Sequence, residues 1–374
     1  MPDLMDRVGA GSAAEGALWG GIMMSAYAAA MFIFGPIVGS LSDTYGRRPI
    51  LIAALATLAI DYLIMALAET YWVLLTGRVI AGMAGATYIT ATAYISDITK
   101  PEERGPAFGM IGAAFGIGFV FGPAIGGISS GWHVTAPFWI AAALSIINMV
   151  FGFFILPESL KEENRRPFGK RDLNPFATIF RAFFIPGLAI PLICIFVFEF
   201  ANMVYPSLWA FWGREVFGWN GFTIGLTLSA YGILIALVQA GLMPQITKRI
   251  GDYKTLIIAS IAAVIGLVGF GFSNAAWAVA IVLPFAALSD MAPPLLTAFA
   301  ANSVGDDQQG LVQGVIASLS SVAAVAAPLI LTGVFERFVN DQGLYFPGAP
   351  FLIAALLTIM IIPLIKRLDP RKSP

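Results

Sequence analysis

The chain is poor in the residues that build most active sites. It has one cysteine, one histidine, and Asp, Glu, Lys and Arg at only 11% of 374 residues. The single cysteine, Cys194, permits neither an intrachain disulfide nor a cysteine-built metal site. His133 lies in the connecting stretch "SSGWHVTAP", where a solvated side chain is expected. Paired histidine ligands, GxSxG and a phosphate-binding glycine loop are all missing, so an enzyme or a resident metal has nothing to stand on. A formal net charge of −1 supplies no basic stripe for nucleic acid.

Apolar side chain is what the sequence has in excess. It is 58% hydrophobic, with a mean hydropathy of +0.83. A soluble domain of this size could not bury that much without leaving a greasy surface. Eleven runs are long enough to span a bilayer: Ala17–Leu41, Ile50–Ala68, Trp72–Ile95, Pro106–Ile128, Val134–Leu156, Pro186–Trp209, Phe222–Met243, Thr255–Phe272, Ala276–Ala300, Leu311–Phe335 and Ala349–Ile365. None alternates as a barrel strand would, so the expected fold is an all-α polytopic membrane protein.

Basic residues set the expected topology. Of 21, seventeen fall on one face, from Arg47 and Arg48 to Arg371 and Lys372. Only Arg7, Arg214 and Arg337 fall on the other, and Arg78 lies within a span. The loaded face, with the C-terminus, is expected to be cytoplasmic, in the plasma (inner) membrane. Eleven spans then leave the N-terminus outside, although "MPDLMDRVGAGSAAEG" shows no cleavable signal. It reads as an outer loop entered from a preceding helix, so the expectation is one further helix upstream. The alternative is a true eleven-span chain.

The polar connection 157–181 divides the sequence into residues 1–156, with five spans, and 182–374, with six. "SDTYGRRPILIAA" echoes in "TKRIGDYKTLIIAS", with Gly46 and Gly251 in corresponding places. Two repeats of equal orientation suit a rocking transporter.

Ionisable side chains inside the spans are costly unless paired or hydrated. Asp61 lies nine residues before Thr70, and Arg78 eight after it. At about 1.5 Å rise per residue both sit at similar depth, so they are expected to pair, either statically or as a charge relay. Glu199 and Asp290 have no basic partner in their spans, which suits groups that take and release protons. Asn202 and Tyr205 extend a polar stripe from Glu199, and Pro293 and Pro294 could open the helix beside Asp290. Asn148, Gln239 and Gln313 could hydrogen-bond a cargo.

"GSLSDTYGRRP" resembles the signature loop between the second and third helices of major facilitator transporters. "GMIGAAFGIGFVFGPAIGG" resembles the antiporter motif of their drug/proton exporters, with Gly109, Gly118, Gly122, Pro123, Gly126 and Gly127 in place. "LPES", at 156–159, resembles the close of their first half, and "AIDYLIMALAETYWVLLTGRVIAGMAGATYITATAYISDIT" resembles the tetracycline/proton antiporters. The resemblance implies the major facilitator fold, two pseudo-symmetric six-helix bundles, here with eleven helices present. It marks Gly39, Asp43, Gly46, Arg47 and Arg48 as a gating motif, and Asp61, Arg78, Asp97 and Glu158 as sensitive positions. It also implies that the glycine- and proline-rich span forms a packed seam between the bundles. Close packing in lipid with no further purpose is the alternative.

Asp43 is expected to meet the N-terminus of the span starting near Gly310, across the boundary between the halves. Arg47 and Arg48 are expected to hold acidic groups or lipid phosphates, or simply to anchor topology. The sequence departs from the family in two places, since the acidic residue of the first helix lies outside the chain and that of the ninth has no counterpart in Thr255–Phe272; both departures bear on the cargo more than on the antiport.

The expected function is proton-driven efflux of an amphipathic, tetracycline-like drug by a monomer. The proton is the coupling ion and no cofactor is bound permanently, though a divalent cation could travel with a tetracycline-type cargo. A proton-coupled importer, an exporter of another metabolite, and a membrane sensor or scaffold are the alternatives.

Overall fold

Lipid offers backbone groups no water, so an apolar run must close its hydrogen bonds within itself. The computed structural model, which describes residues 1–85, 87–100, 103–165, 185, 187–305, 309–340 and 344–368, does this with helices throughout. A short helix α1 (Pro2–Arg7) precedes α2 (Ala13–Tyr45), α3 (Arg47–Leu67), α4 (Tyr71–Met83), α5 (Thr87–Ile98), α6 (Arg104–Ser130) and α7 (Ala136–Ile155). After the connection come α8 (Ala189–Asn202), α9 (Val204–Phe217), α10 (Gly221–Leu237), a π-helical turn (Val238–Leu242) and α11 (Met243–Ile250). The chain continues through α12 (Asp252–Phe272), α13 (Ala276–Ser289), α14 (Ala292–Ala301), α15 (Gln309–Val339) and α16 (Ala349–Ile365).

Among the described residues, ten helical stretches are long and apolar enough to cross a bilayer. The expected span Trp72–Ile95 is the exception. Its "AGMAG" segment carries two glycines, which weaken a helix interior, the Gly85 N–H turns back to the Gly82 carbonyl at 3.0 Å, and the run divides into α4 and α5.

Helix ends follow local chemistry. The Ser12 hydroxyl accepts from the Glu15 N–H at 3.1 Å to cap α2, and the Asn220 amide oxygen accepts from the Thr223 N–H at 2.9 Å to cap α10. The repeat is visible in the backbone. Gly46 and Gly251 share φ of 105° and 83° and ψ near 160°, and each opens a helix of 21 residues, α3 and α12. Only glycine enters that positive-φ corner without strain.

Helices α2 to α7 pack on one another, as do α8 to α16. Two long seams join the groups, α2 along α15 and α6 along α10. Buried apolar residues form two clusters. One, away from the basic face, mixes Met23, Met65 and Leu74 with Trp209, Trp212, Phe270 and Phe351 from the other group. The second, toward the basic face, draws its buried members from α8 onward, among them Leu192, Ile195, Leu295, Val312 and Ile365. The shared core therefore lies on the side opposite the arginines.

Candidate functional site

At the basic face, three motifs that lie far apart in sequence form one network. Gly46 turns the chain so that the backbone N–H groups of Arg47 and Arg48 point at Glu158, donating to its carboxylate at 2.8 and 3.2 Å. Glu158 thus puts negative charge on the N-terminus of α3, where free N–H groups favour it. A side chain at Gly46 would run into Glu158. The Arg47 guanidinium pairs with Asp43, donates to the Ser42 hydroxyl at 2.7 Å, and reaches Asp97 at 3.3 Å. The Ser159 hydroxyl donates to Asp97 at 3.0 Å. Gly39 contributes its carbonyl, which accepts from the Ser42 hydroxyl at 2.7 Å.

Beyond its backbone bond to Glu158, the Arg48 guanidinium donates to the Phe153 carbonyl at 2.6 Å and lies over the Phe153 ring, fastening α3 to the end of α7. Of the partner expected for Asp43, residues 306–308 and the side chains at the start of α15 lie outside the described residues.

Asp61 and Arg78 meet on the antiparallel helices α3 and α4, as their equal depth allows. They form an ion pair, with the Arg78 Nε donating to Asp61 at 3.2 Å. Asp61 is fully buried, and the guanidinium also covers the Tyr27 ring, 5.6 Å from its centroid. Asp61→Ala leaves that cation without its partner and is expected to destabilise the protein by about 3 kcal/mol, whereas replacing both residues with leucine recovers most of the loss. Thermal unfolding in detergent measures both; equal losses in the two variants would refute the pairing energetics.

The glycine- and proline-rich helix α6 has two faces. One is the seam with α10: a Cβ placed on Gly127 would lie 3.1 Å from the Gly225 Cα, Pro123 packs against Gly225, and the Ser229 hydroxyl donates to the Val120 carbonyl at 2.8 Å. Gly118, Gly122 and Gly126 lie elsewhere, with open space beside them, so only part of the motif forms the seam. Gly109 lies in the first turns of α6. The seam contacts involve residues 119–130 and 221–232, the half of each helix away from the basic face.

Against the basic-face end of that seam lies a cavity of about 410 Å³. Phe119 and Pro123 close one side; Asn202, Tyr205 and Trp209, then Tyr231, Phe270 and Asp290, form the rest. Three interruptions of regular helix converge here. The α8–α9 run breaks at Met203, α10 passes into the π-helical turn, and α13 stops at Asp290. Pro294 has no N–H to give the Asp290 carbonyl, as a continuous helix would. The Gln239 side chain, from the π turn, donates to that carbonyl instead, at 3.4 Å. The Asp290 carboxylate accepts from the Tyr231 hydroxyl at 2.6 Å. The Tyr205 hydroxyl is buried with no partner among the described residues. No basic side chain is among the lining residues.

On the face opposite the arginines, α1 straps the two groups together. Leu4 and Met5 are buried in the shared core. Arg214, near the end of α9, reaches Asp3 at 3.3 Å and Asp6 at 2.6 Å. Arg7 donates to the Ala66 carbonyl of α3 at 3.0 Å, so the strap is tied to both sides.

Residues 2–328 match the Major Facilitator Superfamily. The chain belongs to it. It is a multi-pass membrane transporter, not an enzyme, and it groups with the tetracycline resistance proteins. It is 35% identical to the class C tetracycline resistance protein of Escherichia coli, over 93% of this chain and 86% of that one. It is 28% identical to multidrug resistance protein 2 of Bacillus subtilis, over 91% and 84%. Among solved structures, the human organic anion transporter MFSD10 (TETRAN) covers 94% of this chain and is itself covered over 84%, with a TM-score of 0.69 and 22% identity. The nucleoside transporter NupG covers 96% and is covered over 91%, with a TM-score of 0.75 and 14% identity. Those two likenesses establish the fold.

Within the major facilitator fold, the sequence-derived candidates fall into separate places. Asp290, Asn202 and Tyr205 line the cavity, and Gln239 supports it from behind. Glu199 is half-buried one turn before Asn202 and is not in the cavity wall. Asn148 and Gln313 are exposed and lie outside that wall. Sequence reasoning overlooked Tyr231 and the Arg214 clasp. Tyr231 sits in "LSAYGIL", where a lone tyrosine reads as packing, and Arg214 lies more than 200 residues from its acids.

Proposed function

We propose that this protein exports an amphipathic drug of the tetracycline type in exchange for protons, by alternating access. The observation that carries the reading is Asp290: a carboxylate at a helix break, in an aromatic cavity beside the inter-bundle seam, with no basic partner lining it. Such a group can release a proton toward one compartment and regain it from the other. Aromatic faces of Trp209, Tyr205 and Phe270 suit a planar cargo. The relatives named for tetracycline and multidrug resistance support the direction and the cargo class. Glu199 is a second proton-carrying candidate.

In this reading the basic face is cytoplasmic and the chain acts as a monomer in the plasma membrane with its C-terminus inside. The protein has no resident cofactor, and a divalent cation enters with the drug. The seam contacts and the α1 strap lie on the other side, and in this reading they are the outer gate. Outward opening must part α6 from α10 and release the strap, while the Arg47 network holds the inner ends of the first bundle as a unit. A potential of 100 mV supplies about 2.3 kcal/mol per charge moved, enough for a gradient of roughly 50-fold.

Cells expressing the protein are expected to accumulate less tetracycline, and a protonophore should restore accumulation. Inverted vesicles acidified inside should take the drug up. Accumulation unaffected by expression would remove tetracycline as cargo, and uptake that ignores the proton gradient would remove the coupling.

A further inference from the structure

We infer that Tyr231 couples the charge on Asp290 to the seam between the two bundles, so that the unloaded transporter cannot switch. This rests on the reading of Asp290 as the proton-carrying group. Tyr231 is the point at which two otherwise separate structures touch. Its hydroxyl donates to the Asp290 carboxylate at 2.6 Å, and its ring stands edge-on to Phe119 of α6, with centroids 6.3 Å apart. The neighbouring residue, Gly232, leaves room for only 3.1 Å between an added Cβ and the side chains of Phe119 and Val120, and Ser229 bonds the Val120 carbonyl. The helix that holds the carboxylate's partner is therefore the helix that closes the seam. Gln239, two turns further on, holds the backbone of Asp290, so α10 and its π turn grip the broken helix at two points.

The chemistry follows from how the bond changes strength. A hydroxyl donating to a charged carboxylate makes a short bond roughly twice as strong as one between neutral groups. With Asp290 ionised and the cavity empty, Tyr231 is held, and its ring is fixed against Phe119. A proton on Asp290 weakens the bond, and a cargo that takes a hydrogen bond or a charge contact from the carboxylate replaces it. Either occupant frees Tyr231 and lets the seam part. The empty, ionised state alone is locked, which is what exchange without leak requires. The other titratable groups near Asp290 are Glu199 on α8 and Tyr205 on α9. The Tyr205 ring lies 6.1 Å from that of Tyr231, and its unpartnered hydroxyl can follow the same carboxylate.

The test reads the seam itself, in the full chain reconstituted in lipid without cargo. Ile128 and Phe222 are exposed near the outer ends of α6 and α10, and Cys194 is buried, so I128C and F222C can carry a pair of spin labels. Acidification is expected to raise the population with the seam parted by at least about fivefold, the factor carried by about 1 kcal/mol. Tyr231→Phe keeps the ring and the packing but loses the hydroxyl, and is expected to show the parted population at both acidic and alkaline pH. Asp290→Asn should behave the same way. Phe119→Ala, which spares the hydroxyl bond, should also lose the response.

A Tyr231→Phe protein that responds as the unsubstituted one does, while Asp290→Asn does not, overturns the coupling role and leaves Asp290 as the proton site. An Asp290→Asn protein that still responds to pH overturns both. A tyrosine with only a packing role would leave the Tyr231→Phe response intact, because its ring contacts are unchanged.

Discussion

Asp290→Asn is expected to abolish uphill efflux, lowering the drug gradient that vesicles sustain by more than tenfold, a loss of about 1.4 kcal/mol or more. Asparagine fits the space and keeps an acceptor for the Tyr231 hydroxyl, so the fold should survive. It cannot exchange a proton, so the gradient across the membrane has no handle on the cavity. Flow of drug down its own gradient through the same cavity gives the comparison, because a general loss of folding would depress both. Glu199→Gln is expected to have the smaller effect, since that carboxylate stands outside the cavity wall. Normal uphill transport by Asp290→Asn would show that the proton is carried elsewhere.

Joining α1 to α9 should stop transport as completely. Asp6 and Arg214 make the tighter contact of the clasp, at 2.6 Å, and both are partly exposed. Cysteines at the two positions, bridged by a short bifunctional thiol reagent, would make this otherwise reversible contact permanent, while the buried Cys194 stays unreacted. Transport is expected to fall more than tenfold when bridged, and to be unaffected when the reagent caps each cysteine separately. The physical reason is that Leu4 and Met5 sit in the core shared by the two groups of helices. Outward opening cannot occur around a strap anchored on both sides. Undiminished transport by the bridged protein would mean that the strap moves with one bundle, and the clasp would lose its part in gating.

Much of this molecule can be read before any coordinates. The spans follow from length and hydropathy, because lipid leaves a non-alternating apolar run no alternative to a helix. The depth of Asp61 and Arg78 follows from counting, because rise per residue is constant along a helix. The echo between Gly46 and Gly251 becomes a shared backbone conformation and two helices of equal length, since a positive φ demands glycine wherever the same hairpin recurs. Counting fails where a helix is broken. Trp72–Ile95 reads as one run, yet α4 ends at Met83 and α5 begins at Thr87, because hydropathy is indifferent to Gly82 and Gly85.

The sequence by itself determined what must be buried in lipid, which face carries the arginines, and which ionisable groups would be costly there. Only the tertiary structure decided who meets whom. Glu158 caps a helix that begins 111 residues earlier, Tyr231 reaches Asp290 across 59, and Arg214 reaches Asp3 across 211. Such pairs are chosen by the rotation and tilt of packed helices, and those are set by small residues such as Gly127 and Gly225 at the contacts. Periodicity along one chain reports which face of a helix is apolar, but not which neighbour that face will find.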